Sequence, residues 1–335
     1  AVDCGVDLVL ELPTAFSLRS AEFFASGAVQ ILQATGLVQA LSCGAEDANV
    51  NYLQLAKKML EPETQEQLHA YVGQGLPYAK ACELALGVGE VATKPNTILA
   101  LEYAKALLKT DIKQYVVPRL ASAYNDEALQ EIASATAVRM AYKEQQNWQQ
   151  AVPHETADLL EAHKDKVGYD ESLLWKLLCL RLRTCTSEQL LAVTECKEGL
   201  ENVLLSTANA SNLGEAIALA SNKRYPASRI RRLLMQLLLN KSKEYFTQAQ
   251  PAYLKILAFN DTGRKLLAEM KKKAELPIIT KVGRSPFKNQ SADFCQQLEL
   301  DITASDVVAM LRPQQQNIAG DFLTSPYYKQ NLRRV

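Results

Sequence analysis

The chain has 335 residues, 48% of them hydrophobic and 22% charged, and its 37 basic and 37 acidic side chains cancel to a net charge of zero. That length exceeds what one hydrophobic core usually holds, so two domains are expected, and the composition is that of a globular chain rather than a disordered one. No apolar run reaches the roughly 18–20 residues of a membrane span and no secretory leader opens the sequence, so a cytoplasmic protein without membrane partners is expected.

The seven cysteines are spread singly from Cys4 to Cys295, and the three histidines (His69, His154 and His163) have no second ligand at metal spacing. The cysteines read as reduced thiols and the histidines as surface residues, which leaves no metal site and no histidine-based triad.

In chain order, Gly5 to Pro13 is a nearly continuous apolar run, the pattern of a strand buried on both faces of a parallel sheet. Only four residues precede it and the chain opens without methionine, so upstream sequence is expected to be missing. Phe23, Phe24, Ala28, Ile31 and Leu32 then fall at helical spacing, with Gly36 as a stop. The run through Ala40 to Gly44 predicts a second strand, whose end is where doubly wound folds bind ligands. Helices broken at Pro62 follow, and Pro95 opens another with Asn96 in its first turn, where backbone N–H groups are free for an anion or a ring edge. Tyr115 to Val117 predicts a third strand with Arg119 at its exit, and Ser134, Thr136 and Arg139 gather where the next helix starts. Alternating strand and helix implies a parallel sheet with its loops at one edge.

Beyond about residue 150 strand signals fade into successive amphipathic helices opened by Ser, Thr, Asn or Asp. Residues 151–335 hold 26 basic against 20 acidic side chains, whereas residues 1–150 hold 11 against 17, so the C-terminal part is the candidate polyanion surface. Its segment NKRYPASRIRRLLMQLLLNKSK carries Lys223, Arg224, Arg229, Arg231, Arg232, Lys241 and Lys243, with Tyr225 available to stack on a base, and Lys271, Lys272 and Lys273 close the next basic helix. Leu276 to Val282 can return as a strand, and the remainder has no regular pattern.

Two hydroxyls and an arginine at a helix start can cradle phosphate, although Ser and Thr there are also ordinary caps. Read with its neighbours GVDLVLELP, SCGAED, GLPYAKACELAL, KPNTILALEY, PRLASAYND, IASATAVR, NKRYPASRIRR and LKILAFNDTGRKLL, the chain resembles the bacterial tRNA(Met) cytidine acetate ligase family. That family belongs to the nucleotidyltransferase superfamily with the His-x-Gly-His motif. The resemblance implies an α/β Rossmann-like nucleotidyltransferase domain, its first strand missing, over residues 1–150. It further implies a helical tRNA-binding domain over 151–275 and a C-terminal extension over 276–335. The implied enzyme activates acetate with ATP, with Mg²⁺ expected alongside the nucleotide, and releases pyrophosphate. It then passes acetyl from acetyl-AMP to N4 of the wobble cytidine of elongator tRNA(Met). Gly44, Asn96, Arg119 and the adjoining Leu120 match positions lining the nucleotide pocket, and Ser134, Thr136 and Arg139 match the second phosphate motif, Ile-Ser-x-Thr-x-Ile-Arg. The His-x-Gly-His loop has no counterpart in the sequence, so activity is expected of a chain that includes it. A small-molecule adenylyltransferase and a non-catalytic RNA-binding fragment remain the alternatives.

Overall fold

The computed structural model describes residues 1–88, 94–119, 133–197, 199–283, 286–312 and 318–330. The first apolar run forms β1 (Leu8–Leu10), and Pro13 follows as the N-cap of the short α1 (Thr14–Ser17). After α2 (Ala21–Ala34) comes Gly36 at φ +67°, a left-handed geometry that a residue without Cβ adopts freely. The chain then enters β2 (Ala40–Ala45). It crosses over through α3 (Tyr52–Met59), α4 (Pro62–Gly73), α5 (Tyr78–Leu86) and α6 (Pro95–Leu107), and returns as β3 (Lys113–Pro118). β3 runs parallel to β2, with Ala40 opposite Lys113 and Ala45 opposite Pro118. A parallel pair requires such a crossover, and buried Tyr52, Ala56 and Met59 of α3 pack with Ala100, Leu101 and Ala104 of α6 to cover it. Next, α7 (Ala135–Lys143) starts from Ser134 as its N-cap.

The helical part runs through α8 (His154–Ala162), α9 (Glu171–Thr184), α10 (Ser187–Leu191), α11 (Leu200–Ser206), α12 (Leu213–Ala220), α13 (Ala227–Leu239) and α14 (Lys243–Gln248). Leu178, Leu182, Leu204, Ile217, Ile230 and Leu234 meet in its core. Side-chain caps by Asp170, Thr186, Asn212 and Ser242 start four of these helices, and the first three open segments that read as helices from the sequence.

Strand structure then returns where the pattern had read as helical. β4 (Leu254–Asn260) leads into α15 (Asp261–Lys273), and the two-residue β5 (Ile278–Ile279) then falls within the run Leu276 to Val282 expected to return as a strand. The last segment, expected to be irregular, holds the 20-residue α16 (Ala292–Leu311), α17 (Gly320–Leu323) and β6 (Tyr327–Lys329). Apolar positions on α16 are spread around its surface, and Gln297 and Asp301 are buried beside Leu298 and Leu300, so no single stripe marks the helix.

β1 departs from its expected place. It pairs antiparallel with β4, Leu8 opposite Phe259 and Leu10 opposite Ile256, while β5 and β6 join β4 in parallel. The expected boundaries at residues 150 and 275 therefore cut across a sheet that draws on both ends of the chain. α2 spans the two sheets: Ile31 and Ala34 pack against Leu254 and Ile256 of β4, and Val29 packs against Leu41 of β2. β1 and β2 are each paired along one side only among the described residues.

Candidate functional site

The parallel pair carries Gly44 near the end of β2 and Arg119 just beyond β3, where the Arg119 N–H continues the ladder to the Ala45 carbonyl at 2.9 Å. The first turn of α6 opens beside them. Gly44, Asn96 and Arg119 thereby line one cleft of about 350 Å³, with Cys43, Leu99 and Tyr103 also in its walls, as are Ala28 and Leu32 of α2. A larger groove of about 670 Å³ runs between α3 and the entry of β3, from Tyr52 to Tyr115. Ligands of open α/β sheets sit at the carboxyl ends of the strands, which favours the smaller cleft.

Among the described residues nothing demands a glycine at position 44. An added Cβ would meet Arg119 Cγ at 3.6 Å, an ordinary contact, and the backbone is not left-handed. The open space above Gly44 belongs to the cleft. Cys43 accepts from Gln114 Nε2 at 3.6 Å, and burial pushes its thiol pKa up, so it is a neutral wall rather than a nucleophile.

The free N–H groups expected at the start of α6 are occupied. Glu46 accepts from the Asn96 N–H at 3.3 Å, Asn96 Nδ2 at 2.8 Å, the Thr97 N–H at 2.8 Å and Thr97 Oγ1 at 3.0 Å. Partial burial pushes the Glu46 carboxyl pKa up, but these hydrogen bonds outweigh it and hold the group below its ordinary value. An ionised carboxylate thus sits on the positive end of α6. Sequence reading missed Glu46 because the cap joins residues 50 positions apart.

Ser134, Thr136 and Arg139 form a separate group on α7 and are not among the residues lining the cleft. Ser134 is buried and its Oγ accepts the Ala137 N–H at 3.0 Å, while exposed Arg139 donates to Thr136 Oγ1 at 3.3 Å. Leu120 lies outside the described residues.

The basic residues of the helical part divide by partner. Lys223, Arg224 and Arg231 are exposed, as is Lys243. Arg232 instead bonds Glu195 at 3.2 Å and Arg229 approaches the same carboxylate at 3.7 Å, so half of their charge is neutralised internally. Tyr225 is not available for stacking: it is 8% exposed in the helical core, with the Arg229 guanidinium 5.0 Å from its ring centre. Lys241 pairs with Glu299 at 3.0 Å, and Lys272 with Glu269 at 2.7 Å. Lys271, Lys272 and Lys273 end α15, whose Leu267 and Met270 pack with β4, not with α13. The two basic groups are therefore carried by different cores. Among the described residues no helix is long and apolar enough to cross a membrane, and no group of three or more His, Cys, Asp or Glu could hold a metal ion.

This architecture has close counterparts. A family model described as HIGH Nucleotidyl Transferase matches residues 1–321. The tRNA(Met) cytidine acetate ligase of Alkaliphilus metalliredigens is 36% identical, over 99% of this chain and 86% of its own length. That of Clostridium perfringens is 34% identical over 97% of this chain and 85% of its own. Among solved structures, Thermotoga maritima TmcAL superposes with a TM-score of 0.88 at 28% identity, covering 98% of this chain and 86% of that one. A second crystal form of TmcAL, bound with alpha-thio ATP, also gives 0.88, at 27% identity. The chain belongs to the HIGH nucleotidyl transferase family and, within it, to the tRNA(Met) cytidine acetate ligases.

Proposed function

We propose that this protein is an ATP-dependent ligase that activates acetate and acetylates N4 of the wobble cytidine of elongator tRNA(Met). The observation that carries the reading is the convergence of Gly44, Asn96 and Arg119 from three elements onto one cleft at the carboxyl end of the parallel strands. In this reading the adenine nucleotide occupies that cleft, with its phosphates toward Arg119 and toward the hydroxyl and arginine group on α7. An acetate oxygen attacks the α-phosphorus, the bond to the leaving pyrophosphate breaks, and acetyl-AMP forms. The cytidine amine then attacks the acetyl carbon and AMP leaves, while a proton passes from the amine to solvent. Such chemistry asks the protein for positioning and charge neutralisation more than for a covalent partner. Mg²⁺ bound with ATP would add charge neutralisation at its phosphates. Exposed Lys223, Arg224, Arg231 and Lys243 supply the tRNA backbone surface.

The test is a two-stage assay on the full-length protein. Pyrophosphate release from ATP should depend on acetate, and labelled acetyl should then pass to tRNA(Met) and not to other tRNAs. Turnover of ATP indifferent to both acetate and tRNA would favour a small-molecule adenylyltransferase instead.

A further inference from the structure

Asn96 carries both a donor and an acceptor, and the structure commits the side-chain donor to Glu46. The amide atom 2.8 Å from Glu46 Oε1 must be the nitrogen, because an ionised carboxylate can only accept. The backbone N–H of Asn96 points to the same Glu46 oxygen, at 3.3 Å, and Thr97 closes on the other one with its N–H and its hydroxyl. The Asn96 side chain is thus pinned at its nitrogen, which leaves Oδ1 as the amide atom not bonded to Glu46. Asn96 lines the cleft and Glu46 does not.

We propose that Glu46 is a positioning residue that commits Asn96 to present an acceptor to the cleft. This wall then selects a hydrogen-bond donor of the nucleoside, an exocyclic amino group or a ribose hydroxyl, and rejects acceptor-only groups such as phosphate and acetate. The negative charge of Glu46 also offsets the positive end of α6, so the anionic part of the ligand is directed to Arg119 across the cleft. The inference rests on the reading of the cleft as a nucleotide site. In exchange for a blocked anion site at the helix start, the fold gains a fixed amide that reads a neutral part of the nucleoside.

The experiment measures dissociation constants of ATP, ITP, 2′-deoxy-ATP and 3′-deoxy-ATP for the wild type, Glu46→Gln, Asn96→Ala and the double variant. ITP replaces the amino donor by an oxygen acceptor, and each deoxy analogue removes one hydroxyl donor. The wild type should bind one of the three analogues about tenfold more weakly than ATP, the cost of leaving a committed acceptor unpaired. Which analogue suffers tells whether the amino group or a hydroxyl is read. Glu46→Gln places an amide against Asn96, allows that side chain to turn over, and should bring the ratio close to one. Asn96→Ala should erase the ratio as well, and in that background Glu46→Gln should change it no further. A merely structural Glu46 would weaken all four ligands alike and leave the ratio intact, and that result overturns the proposal. Equal wild-type affinity for all four ligands overturns it too. If the wild type takes up no adenine nucleotide, the nucleotide reading of the cleft fails and this inference falls with it.

Discussion

At the scale of single residues, the cleft is built from side chains whose chemistry is set by near neighbours. Gly44 has room for a methyl group on the protein side, with Arg119 Cγ at 3.6 Å from a Cβ placed there, so its missing side chain serves whatever enters the cleft. Gly44→Ala is expected to leave the thermal midpoint unchanged while raising the KM for ATP about tenfold, the cost of a ligand held away by a methyl group. Steady-state kinetics alongside thermal unfolding read the two effects separately, and a lowered midpoint with normal KM would count against the assignment. Gly44, Asn96 and Arg119 were singled out through the resemblance of their segments, each of them at a strand end or a helix start. Glu46 was not, because its role depends on four donors brought to it from α6 by the fold.

At the scale of elements, the N-terminal strand is held by contacts that its own sequence does not display. Asn260 caps α15 by accepting the Gly263 N–H at 2.9 Å, and its amide donates to Asp7 Oδ1 at 2.8 Å. A Cβ on Gly263 would collide with the Asp7 carbonyl oxygen, a backbone atom that cannot move aside without moving β1. Gly263→Ala should therefore destabilise the protein by about 3 kcal/mol, measured by urea unfolding, despite the better helix propensity of alanine. A variant as stable as wild type would mean that β1 is free to shift on β4. The glycine was visible in the sequence only as an unfavourable residue in the first turn of a helix. Its reason is a strand more than 250 positions away, as the Asp7 to Asn260 separation of 253 residues makes plain.

A second element-level feature is the group around Lys255, which bonds Glu11 at 2.7 Å and Asp321 at 3.3 Å and so ties β4 to the segment after β1 and to α17. Burial by itself would lower the pKa of this lysine, but Glu11 and the other carboxylates raise it above its ordinary value of 10.5. A lysine pKa raised on folding contributes stability that is present below the unfolded value and is lost as pH rises through the folded one. Unfolding free energy should accordingly fall above about pH 10.5, and Lys255→Met should flatten that part of the profile. An identical alkaline slope in both proteins would remove Lys255 as its source.

At the scale of the whole molecule, a basic surface is more than a count of lysines and arginines. Arg229 and Arg232 are committed to Glu195, whereas Lys223 and Arg231 face solvent. If the exposed pair meets tRNA phosphates, replacing both by alanine should make the slope of log K against log salt shallower, by about one for each phosphate no longer neutralised. Arg232→Ala should act mainly on stability, since it strips a partner from a partly buried carboxylate. Filter binding across a salt series separates the two outcomes, and an unchanged slope in the Lys223 and Arg231 double variant would move the RNA surface elsewhere.

Periodicity and capping were enough to read the parallel β2–β3 unit with its crossover helices and the helical part that follows, because those patterns act within a few turns of the chain. The resemblance of the segments around Gly44, Asn96 and Arg119 was likewise local and held over most of the length. Tertiary structure alone decided that β1 pairs with β4, that Tyr225 is a core residue, and that Glu46 occupies the start of α6. An apolar run such as Leu254 to Asn260 satisfies either a strand or a buried helix by itself, and only a partner strand chooses between them. The donors at a helix start are free or filled according to which loop the fold delivers there, and that delivery leaves no mark on the local sequence.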